Sequence, residues 1–300
     1  MTTATELLQL EREYCSFGDT VHYLDPPKIF VDCEGSYLYD ERGTPYLDLQ
    51  MWHSAASFLY KNRRLGEAVR GTGGYVIPPR EYSWRLKETC DRRKILIPDD
   101  EIQMGFYRTG KFRAIENFGI IPDIIVFGKA LTNGLNPISG IWAREELITP
   151  ELFPPGSTHS TFSSNTLGTA VALETLKMLE EEDYEKLVNE KGAYFLAGLK
   201  DLQSRFPGII GDADGLGMAL RIEVCKEDGV TPDRDLADRI FAEGLKGDLE
   251  VAGRKYGLVL DVGGYYKNVF TLAPSFTITR EETDLALDLL AQLFRRYCPQ

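Results

Sequence analysis

Histidine is scarce in this chain, and cysteine has no pattern. Three histidines, His22, His53 and His159, stand far apart, which excludes a histidine-built metal centre. The five cysteines, Cys15, Cys33, Cys90, Cys225 and Cys298, show no C-x-x-C spacing and are odd in number. A disulfide framework is therefore not expected, and with no signal peptide the reading is a reducing, cytoplasmic setting. No apolar run approaches the length needed to span a membrane, so no membrane role is expected. Basic charge is also short: 34 Lys+Arg face 46 Asp+Glu, for a net charge of −12, which argues against nucleic acid as a partner. There is no internal repeat and no low-complexity tract. What remains is an ordinary globular profile, 43% hydrophobic and 27% charged over 300 residues, enough for one large or two ordinary domains.

The informative stretch runs from Ile95 to Leu131. Two short apolar runs bracket it. Ile95–Ile97 is closed by Pro98 and the acidic pair Asp99–Asp100, and Ile124–Phe127 is closed by Gly128 and Lys129. Short β-branched runs stopped by polar residues predict buried strands of a parallel sheet. In open α/β sheets, ligand chemistry gathers at the carboxyl ends of such strands. Asp100 and Lys129 are thus expected to face one pocket. A partly desolvated lysine there loses its proton and attacks a carbonyl as a neutral amine. The plainer alternatives are a solvated loop lysine and an aspartate that caps a turn.

The longer pattern favours the chemical reading. DDEIQMGFYRTGKF (99–112) followed by PDIIVFGKALTNG (122–134) resembles the signature of the class III aminotransferases. These are fold-type I enzymes dependent on pyridoxal 5'-phosphate (PLP). The resemblance implies an α/β fold, with a partial large domain built on a mostly parallel sheet and an α+β small domain. It implies that Lys129 forms the Schiff base with PLP and that Asp100 pairs with the pyridinium nitrogen, so that the ring accepts electrons. Ile102 would pack on the ring face and Gln103 would approach the ring hydroxyl. In the loop 153–168, Thr161 matches the threonine that reaches the cofactor phosphate of a neighbouring subunit, which implies a homodimer. Ser163–Thr166 also suits a helix cap. Trp52 and Glu67 are candidate substrate-site residues, with His53 and Ser54 beside Trp52. The implied partners are a small-molecule amine or amino acid and a keto acid. Thr271 stands where many relatives carry a carboxylate-gripping arginine.

The expected organisation follows the chain. Residues 1–65 form an arm and a β meander belonging to the small domain, 66–180 the remnant of the large domain, and 181–300 the C-terminal small domain. Helices are predicted over 79–93, 166–182, 183–205, 234–256 and 279–297, the last opened by a Thr279/Glu282 capping box. Strands are predicted over 209–224 around a Gly turn, 258–262 and 269–274. Between Leu65 and Glu67, YKNRRL runs straight into GEAVRGTGGYVIPP. The family's intervening segment, which holds its phosphate cradle and its ring-stacking aromatic, is absent. Gly71–Tyr75 (GTGGY) does not replace it, because no Lys-Ser/Thr follows. Losing central βα units predicts exposed sheet edges and apolar faces. Three functions stand at this point: a PLP-dependent transaminase, a racemase or epimerase of the same family, and a non-catalytic shortened relative.

Overall fold

The computed structural model describes residues 28, 30–49, 75, 77–152, 154 and 165–298. The expected meander is present as β1 (Phe30–Glu34), β2 (Tyr37–Asp40) and β3 (Pro45–Asp48). Asp40 fastens its second turn. Its carboxylate accepts the backbone N–H groups of Arg42 and Thr44 at 3.0 Å each, the Lys28 ammonium at 2.8 Å and the Tyr46 hydroxyl at 3.2 Å. Burial works against that charge, but these bonds outweigh it and hold the carboxyl at about 2.

The meander does not stand alone. β3 pairs in parallel with β10 (Arg254–Val259), and β9 (Leu249–Val251) completes a five-stranded sheet of order β1-β2-β3-β10-β9. This corrects the expected helix over 234–256. The helix is α4, Arg234–Gly244. Gly247 (φ 69°), Ala252 (φ 51°) and Gly253 (φ 77°) adopt left-handed backbone that a helix cannot continue through, and the chain turns back as the β9–β10 hairpin. The strand expected over 258–262 is likewise divided. β10 ends at Val259, while β11 (Val262–Gly263) pairs with β12 (Val269–Leu272) in a second sheet of order β11-β12-β8-β7, with β7 at Ile210–Leu216 and β8 at Ala219–Val224. Here α3 (Tyr184–Arg205) and α5 (Arg280–Arg295) supply Phe195, Leu199, Leu289, Leu290 and Phe294 to one core with Leu220, Ile222, Phe270 and Leu272 from the sheet and Tyr46 and Leu47 from β3. The capping box at Thr279 and Glu282 opens α5 as expected.

The third sheet carries the conspicuous lysine. It has three strands, β4 (Pro98–Asp100), β5 (Ile124–Phe127) and β6 (Gly140–Ala143). The predicted parallel pairing holds for β4 and β5, with Asp100 opposite Val126, and β6 closes the sheet antiparallel. The first strand is shifted from its expected place at Ile95–Ile97. α1 (Arg80–Arg93) ends on Lys94 in left-handed backbone, and the Ile95 N–H returns to the Cys90 carbonyl at 2.9 Å. Ile95 is therefore spent on the helix terminus and stays exposed, as does Leu96. Around this sheet and its helices α1 and α2 (Thr166–Glu181), Tyr82, Trp84, Ile121, Ile141, Trp142, Leu167 and Leu173 are exposed, in keeping with the predicted uncovered faces.

The β3–β10 junction tolerates no added atom at Gly257. A methyl there would fall within the ring of Tyr46, whose hydroxyl is tied to Asp40. Gly257→Ala is expected to destabilise the fold by about 1–3 kcal/mol, the usual cost of overpacking, read as a lower denaturant midpoint with an unchanged slope.

Candidate active site

Lys129 follows β5 directly. After Gly128 the chain enters a 3-10 turn, Lys129–Thr132, and Lys129 itself has φ 39°, a left-handed conformation that costs a non-glycine residue free energy. The turn is held by the Leu131 N–H on the Gly128 carbonyl at 3.0 Å and the Asn133 N–H on that of Ala130 at 3.1 Å, with Ala130, Leu131 and Thr132 buried beneath it. The lysine thus projects from a rigid, over-determined support rather than a loose loop.

Its electrostatics are those of a restrained amine. The side chain is half-buried, and loss of water pushes its pKa below the ordinary lysine value. Two carboxylates, Asp100 and Asp261, pull it partly back up. Asp100 and Lys129 are therefore brought together, as the two strand ends predict. Asp100 is exposed, and its Oδ1 accepts the Ile102 N–H at 3.0 Å, so it also closes the turn considered as its plainer role. Ile102 is half-buried in that turn. Gln103 lines a cavity of about 250 Å³ with Tyr75, Met104, Thr109, Leu216 and Ala219. Trp52, His53, Ser54, Glu67 and Thr161 lie outside the described residues.

Asp261 was not foreseen. It lies between β10 and β11, is buried, and accepts the Thr271 hydroxyl at 2.5 Å, while the Thr271 N–H reaches the Asp261 carbonyl at 3.1 Å. Thr271, read in sequence only as a replacement for arginine, thus orients the second carboxylate near Lys129. An isolated acid inside the apolar run LVLDVGG was the one available signal. Arg221 sits opposite Thr271 across the β8–β12 ladder, but its guanidinium is paired with Asp212 at 2.5 Å and Glu223 at 3.7 Å.

The RTG turn has a structural task. Arg108 is buried, donates to the Pro274 carbonyl at 2.6 Å and the Met218 carbonyl at 3.3 Å, and lies over the Phe276 ring at 4.5 Å. Burial brings its pKa down to about 10, which leaves it cationic. Just beyond it, the Gly110 carbonyl accepts from the Asn189 amide at 2.9 Å, and Lys111 pairs with Glu185, both partners on α3. Among the described residues, no cluster of His, Cys, Asp or Glu is arranged to hold a metal, and no helix is long and apolar enough to cross a membrane.

Comparison with known proteins gives the family. The family description Aminotransferase class-III matches residues 65–294. The chain belongs to the class III aminotransferase family. It is 32% identical over 291 residues to an alanine/serine racemase of Pyrococcus horikoshii, covering 95% of this chain and 58% of the racemase. It is 34% identical over 251 residues to an ornithine aminotransferase of Exiguobacterium, covering 82% of this chain and 55% of that enzyme. The chain therefore spans little more than half the length of these curated relatives. Among solved structures, acetylornithine aminotransferase from Elizabethkingia anophelis superposes with a TM-score of 0.81 at 18% identity, covering 99% of this chain and 100% of the other, which fixes the fold as that of the fold-type I aminotransferases.

Class III aminotransferases work with PLP, which presents an aldehyde, a ring nitrogen that wants an anion, and a phosphate. The residues here fit the first two. Lys129 offers a partly desolvated amine, and the Asp100 carboxylate acts on the same space. Asp100→Asn removes an anion that favours the ammonium, so the Lys129 pKa should fall further. The pH profile of Lys129 labelling by an amine-selective reagent, followed by mass spectrometry, is expected to move to lower pH in this variant.

Proposed function

We propose that this chain is a PLP-dependent transaminase that moves an amino group from an amine or amino acid to a keto acid. The observation that carries the reading is the half-buried Lys129, raised on a strained turn at the end of β5 and within the field of Asp100 at the end of β4. When bound, PLP supplies an electron sink for the bonding pair left at the substrate Cα. Lys129, whose proton burial disfavours, would hold the cofactor through its aldehyde, and its Nζ would be the group that carries the proton between the substrate Cα and the cofactor C4'. Asp100 holds the ring nitrogen protonated. Ile102 rests against the ring face, and Gln103 reaches the ring hydroxyl. Thr161 reaches the phosphate of a neighbouring subunit in a homodimer, and Trp52 and Glu67 contact substrate. The setting is the reducing cytoplasm, the reading that an odd number of cysteines without C-x-x-C spacing supports.

A second reading, racemisation, is favoured by the racemase whose likeness extends over 95% of this chain. It needs the same residues, with the proton returned to Cα on the opposite face.

Incubation with PLP, borohydride reduction and peptide mapping tests the shared core of both readings. A stoichiometric adduct confined to Lys129 is expected, lost in Lys129→Ala together with about 10²–10⁴-fold of the turnover, the usual share of a proton-transferring group. Labelling spread over surface lysines would instead favour a non-catalytic relative. Amino transfer to a keto acid, set against loss of optical rotation without transfer, separates the two enzymes.

A further inference from the structure

Three carboxyl groups stand in a row at the end of β4: Asp99, Asp100 and Glu101. Alternation along a strand sends Asp99 and Glu101 to one side and Asp100 to the other. The ladder sets this register, with Asp99 opposite Ile125, Asp100 opposite Val126, and the Glu101 N–H continuing to the Val126 carbonyl at 2.8 Å.

Glu101 is buried and fully used. Its Oε2 accepts the Ala114 N–H and its Oε1 the Ile115 N–H, each at 2.9 Å, at the start of the 3-10 turn Ala114–Phe118. Both of its oxygens are thus engaged as acceptors. Asp99 is half-buried. Its Oδ2 is shut off from water and meets no N–H or O–H donor, and its carboxyl lies beside that of Glu101. Two carboxylates cannot hydrogen-bond without a proton between them. Since Glu101 already accepts two N–H groups, Asp99 is the donor.

We propose that Asp99 and Glu101 share one proton at neutral pH, and that this proton locks the Ala114–Phe118 turn to the carboxyl end of β4, making Asp99 a positioning residue for Asp100. The lock is independent of the catalytic reading; only its consequence for Asp100 rests on it. Burial, then Glu101, then Asp100 push the Asp99 carboxyl up to about 8. Arg113, from the facing turn, opposes this shift, and it is itself tied to Glu116 at 2.7 Å. Above about 8 the proton leaves to water, and the Asp99 carboxylate then lies against its two acidic neighbours at the strand end.

The sign of the pH dependence follows. The folded chain keeps a proton that an unfolded aspartate loses at about 4, so the lock contributes fully below about 4 and is lost as pH rises through the window up to about 8. Infrared spectroscopy of the intact protein should show the carbonyl band of a protonated carboxylic acid that persists above the ordinary aspartate range and titrates near 8. The band should vanish in Asp99→Asn and Asp99→Ser. Hydrogen exchange, corrected for its intrinsic pH dependence, should show the Ala114 and Ile115 amides losing protection over the same titration in the unaltered chain and not in Asp99→Asn, which keeps a donor without the charge. Absence of the band in the unaltered chain overturns the proposal whether or not the variants fold. Survival of the band in either variant, or amide protection indifferent to the titration, overturns it equally.

Discussion

The placement of the candidate site depends on one buried cation. Arg108 carries its charge into a region closed to water, where an unpaired ion would be costly. Its hydrogen bonds to Pro274 and Met218 and its seat on the Phe276 ring offset that cost. The Met218 N–H answers with a bond to the Arg108 carbonyl at 2.9 Å. These contacts tie the loop that follows Asp100 to the β7–β8 turn and to the segment after β12. Without them the small three-stranded sheet, short in both strand number and strand length, would have little to fix its position against the larger core. The close approach of Gly217 to Thr109 and Gly110, which leaves no room for a side chain, belongs to the same junction.

The two halves of the fold differ in how they bury apolar surface. The C-terminal sheets close a core in which Phe195, Leu199, Leu220, Phe270, Leu290 and Phe294 are almost entirely removed from water. The β4-β5-β6 sheet has a much smaller core, shared with α2 and α3 through Leu179, Tyr184 and Val188. Aromatic contacts partly compensate, with Phe127 and Trp142 centred 4.3 Å apart and Phe112 stacked on Trp142 at 6.3 Å. Tyr82, Trp84, Ile141 and Leu173 in this half remain exposed. The chain spans 58% of the length of the alanine/serine racemase it resembles.

Charge at the site is balanced from both halves. Burial lowers the Lys129 pKa, whereas Asp100 and Asp261 favour its ammonium. Asp100 is supplied by β4 and Asp261 by the connection between β10 and β11, so the lysine's proton responds to how the two halves sit together. Behind Asp100, the carboxyls of Asp99 and Glu101 face the opposite side of the strand. The same short acidic run therefore serves two environments, one open to the lysine and one closed against the Ala114–Phe118 turn.

The sequence by itself determined the meander, the five helix starts, the Thr279–Glu282 cap and the adjacency of Asp100 and Lys129, because each depends on local periodicity, capping chemistry or a short motif. It also carried the family, through two motifs separated by a few residues. Tertiary structure decided what depends on partners distant in the chain. Ile95 and Leu96 have the composition of a strand, yet Ile95 was claimed by the terminus of α1. Residues 249–259 extend a helical-looking stretch, yet parallel pairing with β3 and the positive-φ turn at Ala252–Gly253 made them a hairpin. Asp261 is marked locally only by its apolar neighbours; its role comes from folding, which sets it beside Thr271 and in the field of Lys129. Asp99 reads as one more surface acid until the turn from Ala114 saturates Glu101 and leaves the remaining carboxyl to hold the proton. Local chemistry writes the elements, but the charge state of a buried group is set by whatever the fold packs against it.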